Sequence, residues 1–330
     1  MGRGTILVTG GAGYIGSHVV LQLRERGESV VVLDDLSRGF RQSVRDTTLV
    51  IGDCGDPTLV SRLLREHGVD TVIHFAAFTI VPESVGDPLK YYANNVCGTR
   101  NLLQCCAESG VRHFVFSSSA AVYGTPIGDL AAEDSPTAPI NPYGTSKLVS
   151  EWMLRDLAGA SDLRYVALRY FNVAGSDRGG RIGQATLGAT LLIKVASEVI
   201  VGKRPYVSIF GTDYPTPDGT GVRDYIHVDD LATAHLAALD HLRRTGPSAV
   251  LNCGYGHGYS VREVLESVQR VSGHKLAIRE EPRRAGDPAV LVAKAERIRA
   301  LFGWSPKLDD LDTIVRSSLD WEAKLLREPW

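Results

Sequence analysis

Short apolar runs alternate with amphipathic segments through the first half of the sequence. The runs are rich in β-branched residues, as in buried parallel strands, and comprise Thr5–Thr9, Ser29–Leu33, Thr47–Ile51, Thr71–Phe75, His113–Ser117 and Tyr165–Leu168. Between them, segments such as Tyr14–Arg26 and Pro57–His67 place apolar residues three and four positions apart, which predicts helices. This alternation is typical of βαβ units and predicts an α/β fold with a doubly wound parallel sheet of the Rossmann type.

The pattern changes after about Gly175. Gly175–Gly188 is rich in glycine and Tyr214–Gly221 in Pro, Gly and Asp, which predicts binding loops. Helical periodicity returns later, separated by short strands: helices at Val228–Arg243, Val261–Ser272, Ala293–Phe302 and Leu311–Leu326, strands at Tyr206–Ile209, Val250–Cys253 and Leu276–Arg279. We predict a cofactor-binding domain over residues 1–175 and a smaller mixed α/β substrate domain over 176–330, with parts of 224–255 returning to the first domain.

Charge and hydropathy narrow the class of protein. The 330 residues include 36 basic and 38 acidic side chains, for a net charge of -2. We therefore expect that the protein binds neither nucleic acid nor, through a polybasic surface, a membrane. Apolar residues make up 44% of the chain, enough for a folded core. The most apolar stretch, Leu187–Val201, is interrupted by Lys194 and Glu198 and is too short to span a membrane.

The cysteines and histidines predict neither disulfides nor a metal site. The five cysteines include no CxxC pair, and the nine histidines show no ligand spacing. His227 is interpreted as a packed structural residue. Because the N-terminus also lacks the layout of a signal peptide, we expect a cytoplasmic protein.

Two predicted helices, Pro88–Ser109 and Pro142–Leu157, carry more than one apolar face. The additional face packs either on the chain's own sheet or on a second copy of the chain. A homodimer through these two helices is therefore a hypothesis.

Three glycines, Gly10, Gly13 and Gly16, link the first strand to the first helix. Such a turn brings the backbone and a helix N-terminus close to a pyrophosphate, and thus predicts a dinucleotide site. Asp34 ends the second strand, where a carboxylate binds the ribose hydroxyls of NAD and repels the 2′-phosphate of NADP; a solvated turn residue is the alternative. Asp53 is a candidate for the adenine edge or, nearly as well, for capping its own loop.

A second group of polar residues predicts catalysis. Ser119 follows the fifth strand, and Tyr143 and Lys147 lie four residues apart in a helix that Asn141 and Pro142 begin. A lysine ammonium beside the phenol, together with a positive nicotinamide ring, would lower the phenol pKa, so Tyr143 could act as a base. Ser119 could hydrogen-bond the reacting oxygen. A surface tyrosine–lysine pair is the alternative.

These residues resemble the extended branch of the short-chain dehydrogenase/reductase superfamily and, within it, the family of UDP-glucose 4-epimerases. The motifs that carry the resemblance run almost end to end: TGGAGYIGSH (Thr9–His18), DTVIHFAA (Asp70–Ala77), YYANNVCGT (Tyr91–Thr99), FSSSAAVYG (Phe116–Gly124), RYFNVAG (Arg169–Gly175) and IFGTDYPTPDGTGVRDYIHV (Ile209–Val228). The last of these is highly specific.

The resemblance implies tightly bound NAD, a UDP-sugar substrate and a set of residues for each. The NAD site would comprise Gly10, Gly13, Tyr14, Ile15, Gly16, Asp34, Asp53, Cys54, Phe75, Ala76, Ala77, Asn94, Ser117, Tyr143, Lys147 and Tyr170. The UDP-sugar site would comprise Ser119, Tyr143, Asn172, Leu192, Ser208, Phe210, Arg223, Arg284, Asp287 and Leu291. A guanidinium suits a pyrophosphate on chemical grounds, although Arg223 could instead pair with Asp224.

Departures from related enzymes refine the expected activity. Sugar dehydratases carry an acidic pair where this chain has Ala120-Ala121, so we expect oxidation and re-reduction without loss of water. Where related enzymes often have a lysine, this chain has Phe78-Thr79. It has Leu191 in place of a common asparagine and Leu291 in place of a bulky tyrosine. The smaller Leu291 leaves room for an N-acetyl group.

The resulting prediction is reversible C4 epimerisation of UDP-glucose and UDP-galactose through a 4-keto sugar. Epimerisation of UDP-N-acetylglucosamine or a UDP-pentose is the enzymatic alternative. A catalytically silent NAD-binding sensor is the alternative of another class; the intact Ser119, Tyr143 and Lys147 set argues against it.

Overall fold

The computed structural model describes residues 4–126, 128, 130–284 and 286–330. Its strands, in chain order, are β1 Thr5–Thr9, β2 Val30–Asp34, β3 Thr48–Ile51, β4 Val69–His74, β5 His113–Ser119, β6 Arg164–Tyr170, β7 Asn172–Ala174, β8 Val207–Phe210, β9 Val222–Arg223, β10 Tyr225–His227, β11 Ala249–Cys253, β12 Tyr259–Ser260, β13 Ile278–Glu281 and β14 Val290–Leu291.

Helices lie between and after these strands along the chain. They are α1 Tyr14–Glu25, α2 Pro57–Glu66, α3 Val81–Gly86, α4 Pro88–Tyr91, α5 Thr99–Glu108, α6 Pro142–Ala160, α7 Leu192–Ile200, α8 Val228–Arg243, α9 Val261–Ser272, α10 Glu296–Phe302 and α11 Leu311–Arg327. Short 3-10 turns occupy Arg41–Val44 and Ala120–Tyr123, and a π-helical segment occupies Tyr92–Gly98.

The main sheet has seven strands in the order β3-β2-β1-β4-β5-β6-β11. The pairs β2–β3, β1–β2, β1–β4 and β4–β5 are parallel. This order reverses direction between β1 and β4, the place where open α/β sheets bind ligands. The α/β doubly wound fold predicted from the sequence is confirmed.

The chain divides into two compact units that are interleaved in sequence. The first unit comprises residues 1–122, 139–169 and 232–251, and the second comprises 123–138, 170–231 and 252–330. Residues 123–138 join the second unit because Ala131 exchanges backbone hydrogen bonds of 2.8 Å with Val292 and Lys294. The predicted division into binding domains at residue 175 concerns their roles and stays a prediction.

The first unit has an apolar core on the α2, α5 and α6 side of the sheet. Leu7, Val72 and Phe114, from three neighbouring strands, are fully buried there with Leu102 and Leu154. Burial of each such side chain stabilises the fold by about 1.5–3 kcal/mol.

Small sheets and helices make up the second unit. β7 pairs in parallel with β10, β8 with β13, and β9 lies between β12 and β14. Among the residues described, no helix is both long and apolar enough to cross a membrane.

One helix predicted from the sequence is not a regular α-helix. The segment predicted as a single helix over Pro88–Ser109 consists of α4, the π-helical residues Tyr92–Gly98 and α5. At the transition, the Thr99 hydroxyl donates to the Asn95 carbonyl oxygen at 2.6 Å. The widened turn therefore has side-chain support that apolar periodicity alone does not reveal. The helix predicted from Ala293 also begins later, at Glu296.

Candidate active site

The glycine turn after β1 is closed to any larger side chain. Gly10 has a φ of +70°, in the left-handed region, and a Cβ there would lie 2.5 Å from the Ala76 backbone nitrogen. A Cβ on Gly16 would collide with the Gly10 carbonyl oxygen. The backbone of β1, the turn and the end of β4 therefore lie in close contact, as a dinucleotide turn requires.

The N-terminus of α1 fits a bound pyrophosphate. Gly13 is its N-cap, and among the described residues no side chain caps this end and no acidic residue lies in its first turn. Backbone N–H groups at such an end favour an anion. Tyr14 and Ile15, predicted to contact NAD, form this half-buried first turn, and the Tyr14 ring packs edge-on against His18 with centroids 5.5 Å apart.

Asp34 ties the end of β2 to the glycine turn. Its carboxylate accepts from the backbone N–H groups of Ala12 and Leu36, each at 2.9 Å, and it is 6% exposed. Burial raises its pKa, while these backbone bonds act in the opposite direction. The solvated-turn alternative is therefore wrong; contact with ribose stays a prediction.

Asp53 and Cys54 follow β3. Asp53 is exposed and accepts from the Gly55 backbone N–H at 2.7 Å, so Asp53 caps its own loop. An adenine contact through its second oxygen stays a prediction. Burial, together with the smaller effect of the Asp53 charge, raises the pKa of the neighbouring Cys54 thiol to about 12.

A buried asparagine that the sequence reasoning missed supports the loop after β4. The Asn95 side-chain oxygen accepts from the Phe78 backbone N–H at 2.9 Å and from Asn94 at 2.9 Å. Its nitrogen donates to the Phe78 carbonyl and to Ser146, each at 3.0 Å. Asn95 therefore fixes both Asn94, a predicted NAD residue, and the turn of α6 between Tyr143 and Lys147.

The carboxyl end of β4 places Phe75, Ala76 and Ala77 beside β1. The backbone N–H groups of Phe75 and Ala76 both donate to the Thr9 carbonyl oxygen, at 2.8 and 3.1 Å. The Phe75 ring lies against His235, with centroids 4.8 Å apart. All three residues are half-buried, and their contact with a cofactor stays a prediction.

Ser119 and Tyr143 are brought together as predicted. Asn141 caps α6 by accepting from the Gly144 N–H at 2.9 Å, which places Tyr143 in the first turn. Tyr143 is 8% exposed, and its phenol lies beside the Ser119 side chain. Burial raises the Tyr143 pKa, and the neighbouring Ser119 side chain lowers it less. In the protein alone, burial thus outweighs the lowering that the sequence analysis expected.

Lys147 is buried one helical turn further along α6. Its Nζ donates to the Ser117 carbonyl oxygen at 2.9 Å and lies 5.0 Å from the centroid of the Phe116 ring. Burial lowers its pKa to about 7, while the Glu151 carboxylate acts in the opposite direction. The surface-pair alternative is wrong, because both Tyr143 and Lys147 are buried.

In the second unit, an arginine–aromatic pair defines a second candidate subsite. The Arg284 guanidinium carbon lies 3.6 Å from the centroid of the Phe210 ring, close contact for a cation–π pair. Burial lowers the Arg284 pKa, and Asp287 acts in the opposite direction. Ser208 lies on the same strand, β8, and is half-buried.

Arg223 lies in register with Leu291, on paired strands β9 and β14. Its Nη1 donates to the Val222 carbonyl oxygen at 2.8 Å. Asp224 is fully buried and accepts backbone N–H groups, including that of Tyr255 at 3.0 Å. Within the described chain no ion pair joins Arg223 to Asp224, so that alternative is wrong.

The remaining predicted residues lie on short elements of the second unit. Asn172 begins β7, and its N–H donates to the Asp224 carbonyl oxygen at 2.9 Å. Leu192 begins α7, and Tyr170 ends β6; both are half-buried. His227 is buried, and its Nδ1 accepts from the Asp229 N–H at 3.0 Å, in agreement with a structural role. The described residues include no group of three potential metal ligands.

The fold and these residues define a NAD-binding enzyme of the short-chain dehydrogenase/reductase type. Residues 6–254 match the model of the NAD dependent epimerase/dehydratase family. The UDP-glucose 4-epimerase of Azospirillum brasilense is 56% identical over 321 residues, covering 97% of this chain and 92% of that protein. The chain belongs to this family and, within it, to the UDP-glucose 4-epimerases.

Solved structures agree with this membership. A Brucella ovis UDP-glucose 4-epimerase in complex with NAD has a TM-score of 0.93 and 43% identity, covering 96% of this chain and 98% of that one. The UDP-Glc/GlcNAc 4-epimerase of Campylobacter jejuni has a TM-score of 0.85 and 48% identity, covering 98% and 100% of the two chains.

Proposed function

We propose that the protein reversibly inverts C4 of UDP-hexoses and interconverts UDP-glucose and UDP-galactose. The observation that carries this proposal is the group formed by the buried Tyr143 and Lys147 and the half-buried Ser119, together with a glycine turn fitted to NAD. Membership of the UDP-glucose 4-epimerases selects this reaction among those that such a constellation supports. The same constellation argues against a silent NAD-binding sensor.

Tyr143, in its phenolate form and beside Ser119, would accept the proton of the sugar 4-hydroxyl. A positive Lys147 stabilises this phenolate. NAD, when bound, would supply reversible hydride transfer at C4. Between loss and return of the hydride, the 4-keto sugar would rotate so that its opposite face receives the hydride. Tyr143 or Ser119 would then return the proton to the oxygen.

We assign the nucleotide part of the substrate to the second unit. Arg284, which packs against the Phe210 ring, and Arg223 offer guanidinium groups to the pyrophosphate. Asn172, Leu192, Ser208, Asp287 and Leu291 complete this proposed set. The positive charge for the two pyrophosphates would thus be local: the N-terminus of α1 for NAD and the two arginines for the substrate, in a protein with a net charge of -2.

The decisive experiment is incubation of purified protein with UDP-glucose or UDP-galactose, without added cofactor. We expect each sugar to yield its epimer with no net redox change. Tyr143→Phe should lower turnover by about 10²-fold or more, because general acid–base catalysis is lost, with little change in the thermal unfolding midpoint. Near-normal turnover by this variant would refute the assignment of Tyr143.

Leu291 favours a second substrate. It pairs in register with Arg223 and is half-buried, so its size affects the space beside a proposed substrate residue. We propose that UDP-N-acetylglucosamine is also epimerised. Leu291→Tyr should then reduce kcat/KM for this sugar about tenfold or more and leave kcat/KM for UDP-glucose unchanged. Absence of turnover of the N-acetylated sugar by the unaltered protein would contradict the proposal. A UDP-pentose belongs in the same substrate panel.

A cytoplasmic homodimer is also proposed. Leu89 on α4 and Trp152 on α6 belong to the two helical regions assigned to the interface and are 76% and 47% exposed. Large apolar side chains so exposed favour burial against a second copy. Light scattering of the purified protein tests this, and a monomeric mass at micromolar concentration would exclude it.

A further inference from the structure

The reaction as proposed does not use Glu151, a buried carboxylate on α6. Glu151 is 4% exposed and accepts two bonds from Arg169 on β6, from Nε to Oε1 at 2.9 Å and from Nη2 to Oε2 at 2.6 Å. Oε1 also accepts from the Ser118 hydroxyl at 2.5 Å. This bidentate, hydrogen-bonded geometry fixes an ionised carboxylate in a buried position.

Glu151 continues the series that begins with the catalytic tyrosine. Tyr143, Lys147 and Glu151 follow each other at intervals of four residues on α6, so they lie on one side of the helix. Two of them hydrogen-bond consecutive serines at the end of β5: Lys147 donates to the Ser117 carbonyl oxygen, and Glu151 accepts from the Ser118 hydroxyl. Tyr143 lies beside the next serine, Ser119.

We propose that Glu151 is a positioning residue, which through Ser118 and Arg169 fixes α6 against β5 and keeps the Lys147 amine in its ammonium form. This inference rests on the proposed function, since it concerns how Tyr143 and Lys147 are presented for that reaction. The Glu151 carboxylate lies one helical turn from Lys147 and does not contact the reacting atoms itself.

The charges around Lys147 support the second part of the proposal. Burial lowers the Lys147 pKa to about 7, and the Glu151 carboxylate opposes this effect. The other titratable groups nearby are Tyr143 on α6, Arg169 on β6 and His74 on β4. Burial holds the His74 pKa near 3, with the Lys147 charge contributing, so this imidazole is neutral at neutral pH. Of these groups, Glu151 is the one whose charge favours the ammonium.

Glu151→Gln in the whole protein, with the NAD it carries, tests the proposal. Loss of a nearby carboxylate should lower the Lys147 pKa by about one unit or more. The alkaline limb of the kcat profile should then move to lower pH by the same amount, with about a fivefold loss of kcat at pH 7 and an unchanged KM. NMR titration of ¹³C-labelled lysine, assigned with Lys147→Met, measures this pKa directly.

Two further variants separate this role from a structural one. Combining Glu151→Gln with Arg169→Gln avoids a buried unpaired guanidinium and keeps the test available if the single variant does not fold. Glu28→Gln is the matched control, since Glu28 is another buried carboxylate of this unit and pairs with Arg243 at 2.8 Å. It should lower stability without moving the alkaline limb.

The outcomes distinguish the inference from the proposed function. An unchanged Lys147 pKa in both Glu151 variants would overturn the inference, even if their stability fell. If the unaltered protein failed to epimerise any UDP-hexose, the proposed function would be wrong, while the NMR titration would still decide whether Glu151 sustains the Lys147 ammonium.

Discussion

Asp34 shows how one side chain serves both the fold and a proposed ligand. Its two oxygens accept the Ala12 and Leu36 N–H groups, and Leu36 has a φ of +60°, unusual for a leucine. The carboxylate thereby holds the glycine turn in position before any ribose binds. Its remaining lone pairs are available to hydroxyl donors.

Asp34→Ala should therefore damage the turn as well as the NAD site. We expect a loss of about 1–3 kcal/mol of stability, since two backbone N–H groups lose their acceptor, and a preparation that retains little NAD. Asp34→Asn keeps one oxygen acceptor and should lose less stability while discriminating less against NADP. Thermal unfolding and the nucleotide content after purification measure both effects; equal stability of the two variants would contradict this account.

At single positions, the sequence predicted what local spacing determines. Tyr143 and Lys147 share a helical side because they are four residues apart, and Ser119 follows a recognisable strand. The next position in the same series, Glu151, could have been noted by extending the spacing. Its partner Arg169 could not, since it lies on another strand and the contact depends on the packing of β6 against α6.

The π-helical segment Tyr92–Gly98 is the element for which hydrophobic periodicity failed. Apolar spacing predicts that a helix forms but is insensitive to one widened turn. The widening depends on bonds to residues distant in sequence, because Asn95 binds the Phe78 backbone and Ser146. π-helical turns are often found at functional sites, and this one presents Asn94.

Asn95→Ala should destabilise this element by about 1–3 kcal/mol, because the Phe78 N–H and C=O groups, which are partly buried, lose their partners. Asn101→Ala is the matched control. Asn101 lies on the following helix, is half-buried and donates one bond of 3.0 Å to the Gly55 carbonyl. Urea unfolding compares the two variants, and a smaller loss for Asn95→Ala than for Asn101→Ala would contradict the role of Asn95.

For the molecule as a whole, the doubly wound parallel sheet was predicted from strand–helix alternation, but its strand order and the place of residues 123–138 were not. Residues 123–138 belong to the second unit, although they lie in sequence between two segments of the first. The contacts responsible, such as the bridge between Ala131 and Ala293, join short segments with weak patterns of their own. Long-range pairing of this kind has no local sequence signal.

The central strands also determine how the fold responds to acid. His74 on β4 is buried between the Thr9 hydroxyl at 2.6 Å and the Thr99 hydroxyl at 3.0 Å. Because Thr99 donates its proton to the Asn95 carbonyl, His74 Nε2 must be the donor to Thr99, and Nδ1 accepts from Thr9. The imidazole is therefore held neutral, and burial lowers its pKa to about 3.

Between pH 6.5 and 3 the unfolded chain binds a proton at His74 that the folded protein does not, so stability falls as pH falls. From pH 7.5 to pH 5, this one residue should cost about 2 kcal/mol. His74→Gln, although less stable at pH 7.5, should lose about that much less on acidification. His113, whose pKa burial lowers to about 4, adds a similar loss that both proteins share. Urea unfolding at the two pH values measures the difference. The exposed His274→Gln variant should behave like the unaltered protein, and an equal acid-induced loss in His74→Gln would show that His74 is protonated in the folded state.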